Sequence, residues 1–567
     1  MYEIFEQIVS ISKHELNVKI VRVIISGANT KWLMGCHFYL VIAKELFEMT
    51  IALEVGTIVV YMLGMIAIGM HVSKKNKSTE VYYLGGRQLG PFVTAMSAEA
   101  SDMSSWLLMG LPGVALFGLV GTGQGSFAEA FWTAAGLATG TYLNWLIVAK
   151  PLRIYSEHID ANTIPDFFSN RFGEKKGALL LISAIIIVIF FVPYTASGFA
   201  SVGKLFNTLF GVNYHTVMII GALTIALYTV MGGFLASSFT DFVQSIIMTI
   251  ALIIVLWFCV STAGGWNAAI SAPEQVVHGY FKLNAPDGSY SPLTIASNFA
   301  WGLGYFGMPH ILLRFMAIAD DKKIKTSRRI ASVWVVISMA VAVTIGVLGY
   351  SVAKKIGIIG AANFDPERII VYIADAIANV NPLFAIVGGL ILSGILASTM
   401  STASGQMLAA SSSVSENIIH RFFIKDMSHQ KSIIIARATV LCVTALGIAF
   451  AWNPDSSIFR IISFAWAGFG ASFGPLMLCA LFWRRTNVQG AIAGVISGGA
   501  MIFIWKFGIA KLGGIFGIYE LLPSFLFSLI VIVVVSLATA EPDEKVLKEF
   551  DEVTAMRKSG KDVAELN

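Results

Sequence analysis

The residues of this chain that can do chemistry lie inside apolar runs. Glu99 and Asp102 fall within Ser97-Ala-Glu-Ala-Ser-Asp-Met-Ser-Ser-Trp106, where small and hydroxyl side chains crowd two carboxylates. An ionisable group inside a bilayer is costly and faces a cavity or a partner. Small and hydroxyl residues let a helix unwind there, and freed carbonyls can coordinate a cation. The competing reading is a small-residue packing face with a satisfied carboxylate. A second run, Ala300-Trp-Gly-Leu-Gly-Tyr-Phe-Gly-Met-Pro309, carries three glycines and a proline. Trp301 and Tyr305 are four apart and share a helix face. They make either an aromatic wall for a small solute or ordinary core packing. Gly302, Gly304 and Gly307 spell a dinucleotide fingerprint, but no strand precedes them, so that reading fails. A third run, Ala397-Ser-Thr-Met-Ser-Thr-Ala-Ser404, holds five hydroxyls. Membrane hydroxyls usually bond back to the preceding turn, and five together exceed that need. Hydroxyl and carbonyl oxygens suit a hard cation.

Single polar residues read less sharply. Asp241 fits equally a functional carboxylate and a cap at a bend after Gly232-Gly233. Glu129 reads as interfacial and His310 as a packed histidine. Arg314 is expected to snorkel to the cytoplasmic interface. Cys36, Cys259, Cys442 and Cys479 form no CxxC pair, so neither a disulfide framework nor a zinc site is expected. No HExxH, Walker loop or nucleophile elbow is present, so the chain does not read as an enzyme. Active transport by such a chain would draw on an ion gradient.

These runs must be carried by membrane helices. The chain has 567 residues, 56% apolar and only 13% charged, with a mean hydropathy of +0.75. Soluble chains carry about 25% charged residues. No polar linker separates the apolar blocks, which excludes a soluble multidomain protein and a disordered one. Thirteen stretches approach the roughly 20 residues a spanning helix needs. They lie near 53–72, 91–118, 125–149, 177–203, 215–232, 234–261, 293–313, 331–352, 382–411, 435–452, 459–483, 488–508 and 520–539, numbered spans one to thirteen. The alternation of a transmembrane β-barrel is absent. Connections after the odd-numbered spans, with the tail, carry 26 Lys and Arg against 8 in the others. Positive residues mark the cytoplasmic side. Span one therefore starts outside and the C-terminus lies inside. Residues 1–48 fit no span and no signal peptide. They are expected to be a poorly ordered extension, or not part of the functional chain, which would then start at or near Met49.

The distorted runs fall in spans two and seven, five apart. Interrupted spans in corresponding positions mark inverted repeats with the binding site between them. Spans two to six and seven to eleven are then the two repeats. The expected organisation is 1–48 extension, 49–90 first span and cytoplasmic loop, 91–483 transport core, 484–540 two further spans, and 541–567 a charged cytoplasmic tail.

The chain closely resembles the sodium:solute symporter family, and within it the proline-transporting branch. The resemblance rests on Leu84-Gly-Gly-Arg-Gln-Leu-Gly-Pro-Phe92, Ser101-Asp-Met-Ser-Ser-Trp-Leu-Leu-Met-Gly-Leu-Pro-Gly113 and Tyr194-Thr-Ala-Ser-Gly198. It also rests on Gly232-Gly-Phe-Leu-Ala236, 301–315, Met400-Ser-Thr402 and Ala465-Trp-Ala-Gly-Phe-Gly470, and it covers essentially all of 50–540. It implies an all-α integral membrane protein with thirteen transmembrane helices around a leucine-transporter-type 5+5 inverted-repeat core. It implies sodium-coupled L-proline uptake across the cytoplasmic membrane by alternating access. Its sodium ligands would be the carbonyls of Ala100, Met103 and Ser398 and the hydroxyls of Ser401 and Thr402. Asp102, Ser104, Arg87 and Asp241 would serve sodium affinity or coupling. Trp106, Tyr194, Trp301, Tyr305 and Pro309 would contact proline. Gly405 cannot lend a side chain to a second sodium site, so one sodium is expected. Met308 and Ser105 depart from the common glutamine and glycine and bear on selectivity. Other small solutes (another amino acid, pantothenate, a short carboxylate) stay open on those two departures. A passive channel or a sensor is the reading of another class, but no multi-subunit filter and no signalling domain supports it. Sodium, proline and lipid are the partners expected; a cofactor, nucleic acid or obligate protein partner is not.

Overall fold

The structure is a computed structural model that describes residues 30–73, 78–121, 125–361, 364–424 and 428–559. Residues 1–29 of the expected extension, and 560–567 of the tail, lie outside them. Among the described residues there are helices and no strand, only an isolated parallel bridge between Leu89 and Ile318. Among the described residues, nine helices are long and apolar enough to cross a membrane. Span one lies in Thr30–Ser73, a helix that begins upstream of Met49. Spans four and eight are Ala178–Phe210 and Ile324–Lys355. Spans nine to thirteen are Pro382–Ser412, His429–Phe450, Ile458–Phe482, Val488–Phe507 and Leu521–Ala538.

The ninth helix, Tyr214–Thr262, has 49 residues. At 1.5 Å per residue it would run about 74 Å, far beyond a core about 30 Å thick. Gly233 breaks it with φ 65° and ψ −174°, a conformation open essentially to glycine alone. Tyr228 and Thr240 are hydrogen-bonded through their hydroxyls across the break. In a straight helix twelve residues would hold them about 18 Å apart. The segment therefore folds sharply at Gly233 and carries spans five and six.

Spans two, three and seven are built in pieces. Span two is Pro91–Ala100, a non-helical stretch, a wide turn Trp106–Gly110 and Leu111–Val120. Span three is Phe127–Leu143, a wide turn Asn144–Val148 and Ala149–His158. Span seven is Pro292–Phe299, tight turns over Ala300–Gly307 and Pro309–Ala317. Proline opens Pro91–Ala100, Pro292–Phe299 and Pro309–Ala317, where its missing N–H costs nothing. The tight turns of span seven fall on its glycines and the non-helical stretch of span two on its hydroxyls, whereas the wide turns Trp106–Gly110 and Asn144–Val148 carry no such run.

Glycine also sets how closely spans three and seven approach. A Cβ on Gly302 would collide with Gly136 O and lie 3.0 Å from Gly140 Cα. One on Gly140 would collide with the Gly302 backbone in turn. Gly302→Ala should therefore push the tight turns of span seven off span three. Overpacking of this kind costs about 1–3 kcal/mol. A lowered melting temperature in detergent, with weakened solute uptake, is the expected result, whereas Gly56→Ala, which meets nothing within 4 Å, should melt as wild type.

Candidate ion and solute site

The break in span two is held open by its own sequence. Asp102 and Met103 N–H both return to Glu99 O (3.1 and 2.8 Å), and Ser104 N–H bonds Asp102 O at 2.7 Å. The helix thus closes over Glu99 and restarts only at Trp106. Ala100 O, freed by the break, accepts from Ser401 Oγ at 2.8 Å and from Thr402 Oγ1 at 3.5 Å. Ser401 Oγ also lies 3.1 Å from Ser398 O. Four of the five expected sodium ligands therefore meet, all as neutral oxygens of the kind a hard cation takes. Met103 is buried two residues on from Ser101 but lies outside this hydrogen-bonded group. Ser104 Oγ turns back to the Trp106 N–H at 3.4 Å.

Asp102 is fully buried. Its Oδ2 accepts from Tyr305 OH at 2.6 Å. Its carbonyl accepts from Trp106 Nε1 at 2.9 Å and Tyr194 OH at 3.4 Å. Three of the five expected solute contacts thus converge on one residue, and each comes from a different span. Trp301 and Pro309 are buried nearby but do not join the group. The Trp301 ring stacks on Tyr519 at 4.7 Å and lies 5.1 Å from Phe459. Pro309 opens the second helix of span seven, Pro309–Ala317. Met308 is wholly buried.

Asp241 is not a helix cap. Its Oδ2 accepts from Ser97 Oγ at 2.7 Å and pairs with Arg314 Nη2 at 2.9 Å. Arg314 does not snorkel, contrary to expectation: its side chain is 1% exposed. Its Nε donates to Ser97 Oγ and its Nη1 to His310 O. The guanidinium reaches inward because Asp241 neutralises it there. A Cβ on Gly405 would lie 3.1 Å from Arg314 Nη2, so glycine leaves the guanidinium its room.

Several residues of this region escaped the sequence reading. Trp466 Nε1 donates to Trp301 O at 2.8 Å, and its ring meets Tyr305 edge-on at 4.9 Å. Asn144 Nδ2 donates to Tyr305 O at 3.0 Å. A lone asparagine inside span three was the one signal available; Trp466 and Tyr519 look like any aromatic in an apolar run.

Further clamps lie in the connections between spans. Arg87, held at φ 53°, donates to Met316 O, Ser156 Oγ, Ser156 O and Ala161 O. It ties the first loop to the ends of spans three and seven. Burial, with Arg153 beside it, lowers its pKa to about 10, so it stays charged. Asn417, beyond span nine, donates to Asp166 Oδ1 at 2.6 Å and accepts from Thr163 Oγ1. Burial pushes the Asp166 carboxyl up to about 6 from 3.8, against the Thr163 hydrogen bond. A carboxyl raised in the folded state contributes stability that is full below its unfolded value and lost as pH rises through its folded value. The melting temperature should therefore fall between about pH 4 and pH 6, and Asp166→Asn should flatten that part of a pH–melting profile.

An all-helical chain with two interrupted spans, five apart, around a buried carboxylate and a hydroxyl cluster is built as a secondary transporter. The family model described as the sodium:solute symporter family matches residues 82–498. The chain is 41% identical over 485 residues to the osmoregulated proline transporter of Bacillus subtilis (strain 168), covering 85% of this chain and 94% of that one. It is 41% identical over 506 residues to the sodium/proline symporter of Staphylococcus aureus (strain USA300), covering 88% and 94%. A solved Na+-coupled sialic acid symporter in a substrate-bound outward-open state superposes with a TM-score of 0.70 at 16% identity, over 87% of this chain and 99% of that one. The chain belongs to the sodium:solute symporter family, a family of transporters and not enzymes, and has its leucine-transporter-type fold.

Proposed function

We propose that the protein takes up L-proline with sodium by alternating access. The observation that carries this is the meeting of Ser401 and Thr402 hydroxyls with Ala100 O, two residues from an Asp102 that gathers Trp106, Tyr194 and Tyr305. The names of the two bacterial relatives support proline as the solute. Sodium bound at Ala100, Met103, Ser398, Ser401 and Thr402 orders the break against span nine. That completes a pocket in which Trp106, Tyr194, Trp301, Tyr305 and Pro309 enclose the pyrrolidine ring. The secondary ammonium meets a ring face or a tyrosine oxygen, and the carboxylate meets N–H groups at a half-helix start. Trp106, Tyr194, Trp301 and Tyr305 are no more than 4% exposed, so the pocket must open to each side in turn.

The same reading places thirteen spans in the cell membrane, with the start of span one outside and the C-terminus inside. Residues 91–483 are the core and 484–540 two added spans. Proline is a zwitterion, so one sodium makes the cycle electrogenic. A 100 mV potential and a tenfold sodium gradient together give about 3.7 kcal/mol, roughly 500-fold accumulation at 1:1 coupling. Radiolabelled proline uptake into proteoliposomes tests this. Accumulation above equilibrium under an inward sodium gradient is expected. Equal uptake with potassium outside would remove sodium from the mechanism. Sodium-driven uptake of another solute alone would move the error to Met308 and Ser105.

A further inference from the structure

Tyr519 belongs to neither repeat, yet it touches a wall of the solute site. It lies in the connection between spans twelve and thirteen, just before Leu521–Ala538. Its ring stacks on Trp301 with centroids 4.7 Å apart and planes 17° from parallel. Trp301 is 4% exposed and Tyr519 half-buried, so the more exposed ring covers the more buried one. Tyr519 is itself anchored from two spans. Its N–H donates to Ser297 Oγ at 2.9 Å, in the Pro292–Phe299 helix of span seven. Its OH donates to Ser463 O of span eleven at 2.7 Å. The start of span thirteen is wedged beside the tight turns of span seven. A Cβ on Gly470 would lie 2.7 Å from Leu521 Cδ1 and 2.9 Å from Gly304 Cα. The place of the Tyr519 ring is therefore set without help from Trp301. The backbone of Trp301 is fixed by Trp466 Nε1, which donates to its carbonyl at 2.8 Å. Its indole is confined by rings: Phe459 at 5.1 Å and Tyr519.

We propose that Tyr519 is a positioning residue of the solute site: it holds the Trp301 indole against Phe459 and so sets the size of solute ring that the pocket accepts. The proposal rests on the proline reading, in which Trp301 is one wall of the pocket. A wall discriminates by size only if it does not yield. An indole confined by two anchored rings does not yield, and in a tight apolar pocket one methylene is then worth about tenfold or more. With an aliphatic side chain at 519 the stack is gone and the indole is free to tilt toward the space left. Proline loses contact with it, and a solute with a larger ring loses less. The two spans added outside the repeats thereby gain a part in recognition, because the connection between them carries Tyr519.

Initial rates of sodium-driven proline uptake into proteoliposomes test this for the wild type, Tyr519→Phe and Tyr519→Leu. Phenylalanine keeps the stack and loses only the hydrogen bond to Ser463; leucine loses both. Tyr519→Leu should raise the KM for proline roughly two- to tenfold, the worth of one aromatic pair. Tyr519→Phe should stay within about twofold of the wild type, since its ring pair is intact. In competition with proline, the larger-ring pipecolate should gain on the smaller-ring azetidine-2-carboxylate in Tyr519→Leu and not in Tyr519→Phe. The sodium concentration for half-maximal uptake at saturating proline should not move, because Trp301 stands outside the hydroxyl and carbonyl group of Ala100, Ser398, Ser401 and Thr402. Both variants should melt lower in detergent through the lost bond to Ser463, so melting reports folding while KM and the competition order report positioning. If Tyr519→Leu does not fold, Tyr519→Met, which also lacks a planar face, takes its place. A folded variant without the ring that keeps the wild-type KM and competition order overturns the proposal alone, as does a Tyr519→Phe impaired as much as Tyr519→Leu. Wild-type vesicles that take up no proline with sodium overturn the reading of the function, and the proposal with it.

Discussion

Replacing Asp102 by Asn should abolish sodium-dependent accumulation while leaving the break in place. The contacts that shape this turn run through the Asp102 backbone. Its carbonyl accepts from Trp106 Nε1 and Tyr194 OH, and its N–H bonds Glu99 O. Asparagine keeps all three, and its side-chain oxygen can still accept from Tyr305. What it removes is charge, in a buried site where losing one partner of a charge pair costs about 3–5 kcal/mol. That corresponds to an apparent sodium affinity weakened roughly a hundredfold or more. Tyr305→Phe is the companion. It deletes one hydrogen bond to the carboxylate at 2.6 Å, worth about 1.5–3 kcal/mol, and should weaken sodium affinity by about tenfold to a hundredfold. The sodium dependence of proline uptake, measured for both variants, checks the order. A Tyr305→Phe loss larger than that of Asp102→Asn would mean that the ring, and not the charge, organises the site.

What could be read from the sequence follows from which signals are local. The breaks in spans two and seven are local: hydroxyls crowd one and glycines the other, and both sit where the composition placed them. The meeting of Ser401 and Thr402 with Ala100 was reached through the family resemblance, since nothing in the residue types says that span nine faces span two. The long-range pairs were not legible. Arg314 ends an apolar run, so it read as an interfacial residue; only the packing of spans six and seven on span two, where Ser97 bonds both side chains, brings Asp241 to it. Lys204 was counted among the outer connections, yet its side chain is 2% exposed. The length rule fails for the same physical reason in reverse. Spans two, three and seven are broken or widened, so a search for long unbroken apolar helices passes over them. The broken spans two and seven hold part of the candidate site, and the long helices Ala178–Phe210 and Pro382–Ser412 hold the rest.

The second large effect is expected at Glu367, in the connection between spans eight and nine. Its Oε1 accepts from Ser457 Oγ at 2.7 Å and Phe459 N–H at 3.1 Å, and its Oε2 from Ile458 N–H at 3.0 Å. It therefore caps span eleven from outside the helix, at the end where exposed N–H groups and the macrodipole favour an anion. Lys204 Nζ of span four joins Oε2 at 3.1 Å and Asp365 at 3.0 Å. A Cβ on Gly113 would lie 2.9 Å from Glu367 Cα, so the Leu111–Val120 helix of span two packs on the same residue. One carboxylate thus links three spans, two of which supply the solute site. Glu367→Ala would strand two helix N–H groups and leave Lys204 with a part-exposed Asp365 alone. Breaking a buried pair in this way costs about 3–5 kcal/mol. Lys204→Met should cost less, because the helix N-terminus still compensates Glu367. The melting temperature should therefore fall furthest for Glu367→Ala, less for Lys204→Met, and in the double variant by less than the two drops added. Additive drops would mean that the two side chains act separately, with the cap on span eleven doing its work without Lys204.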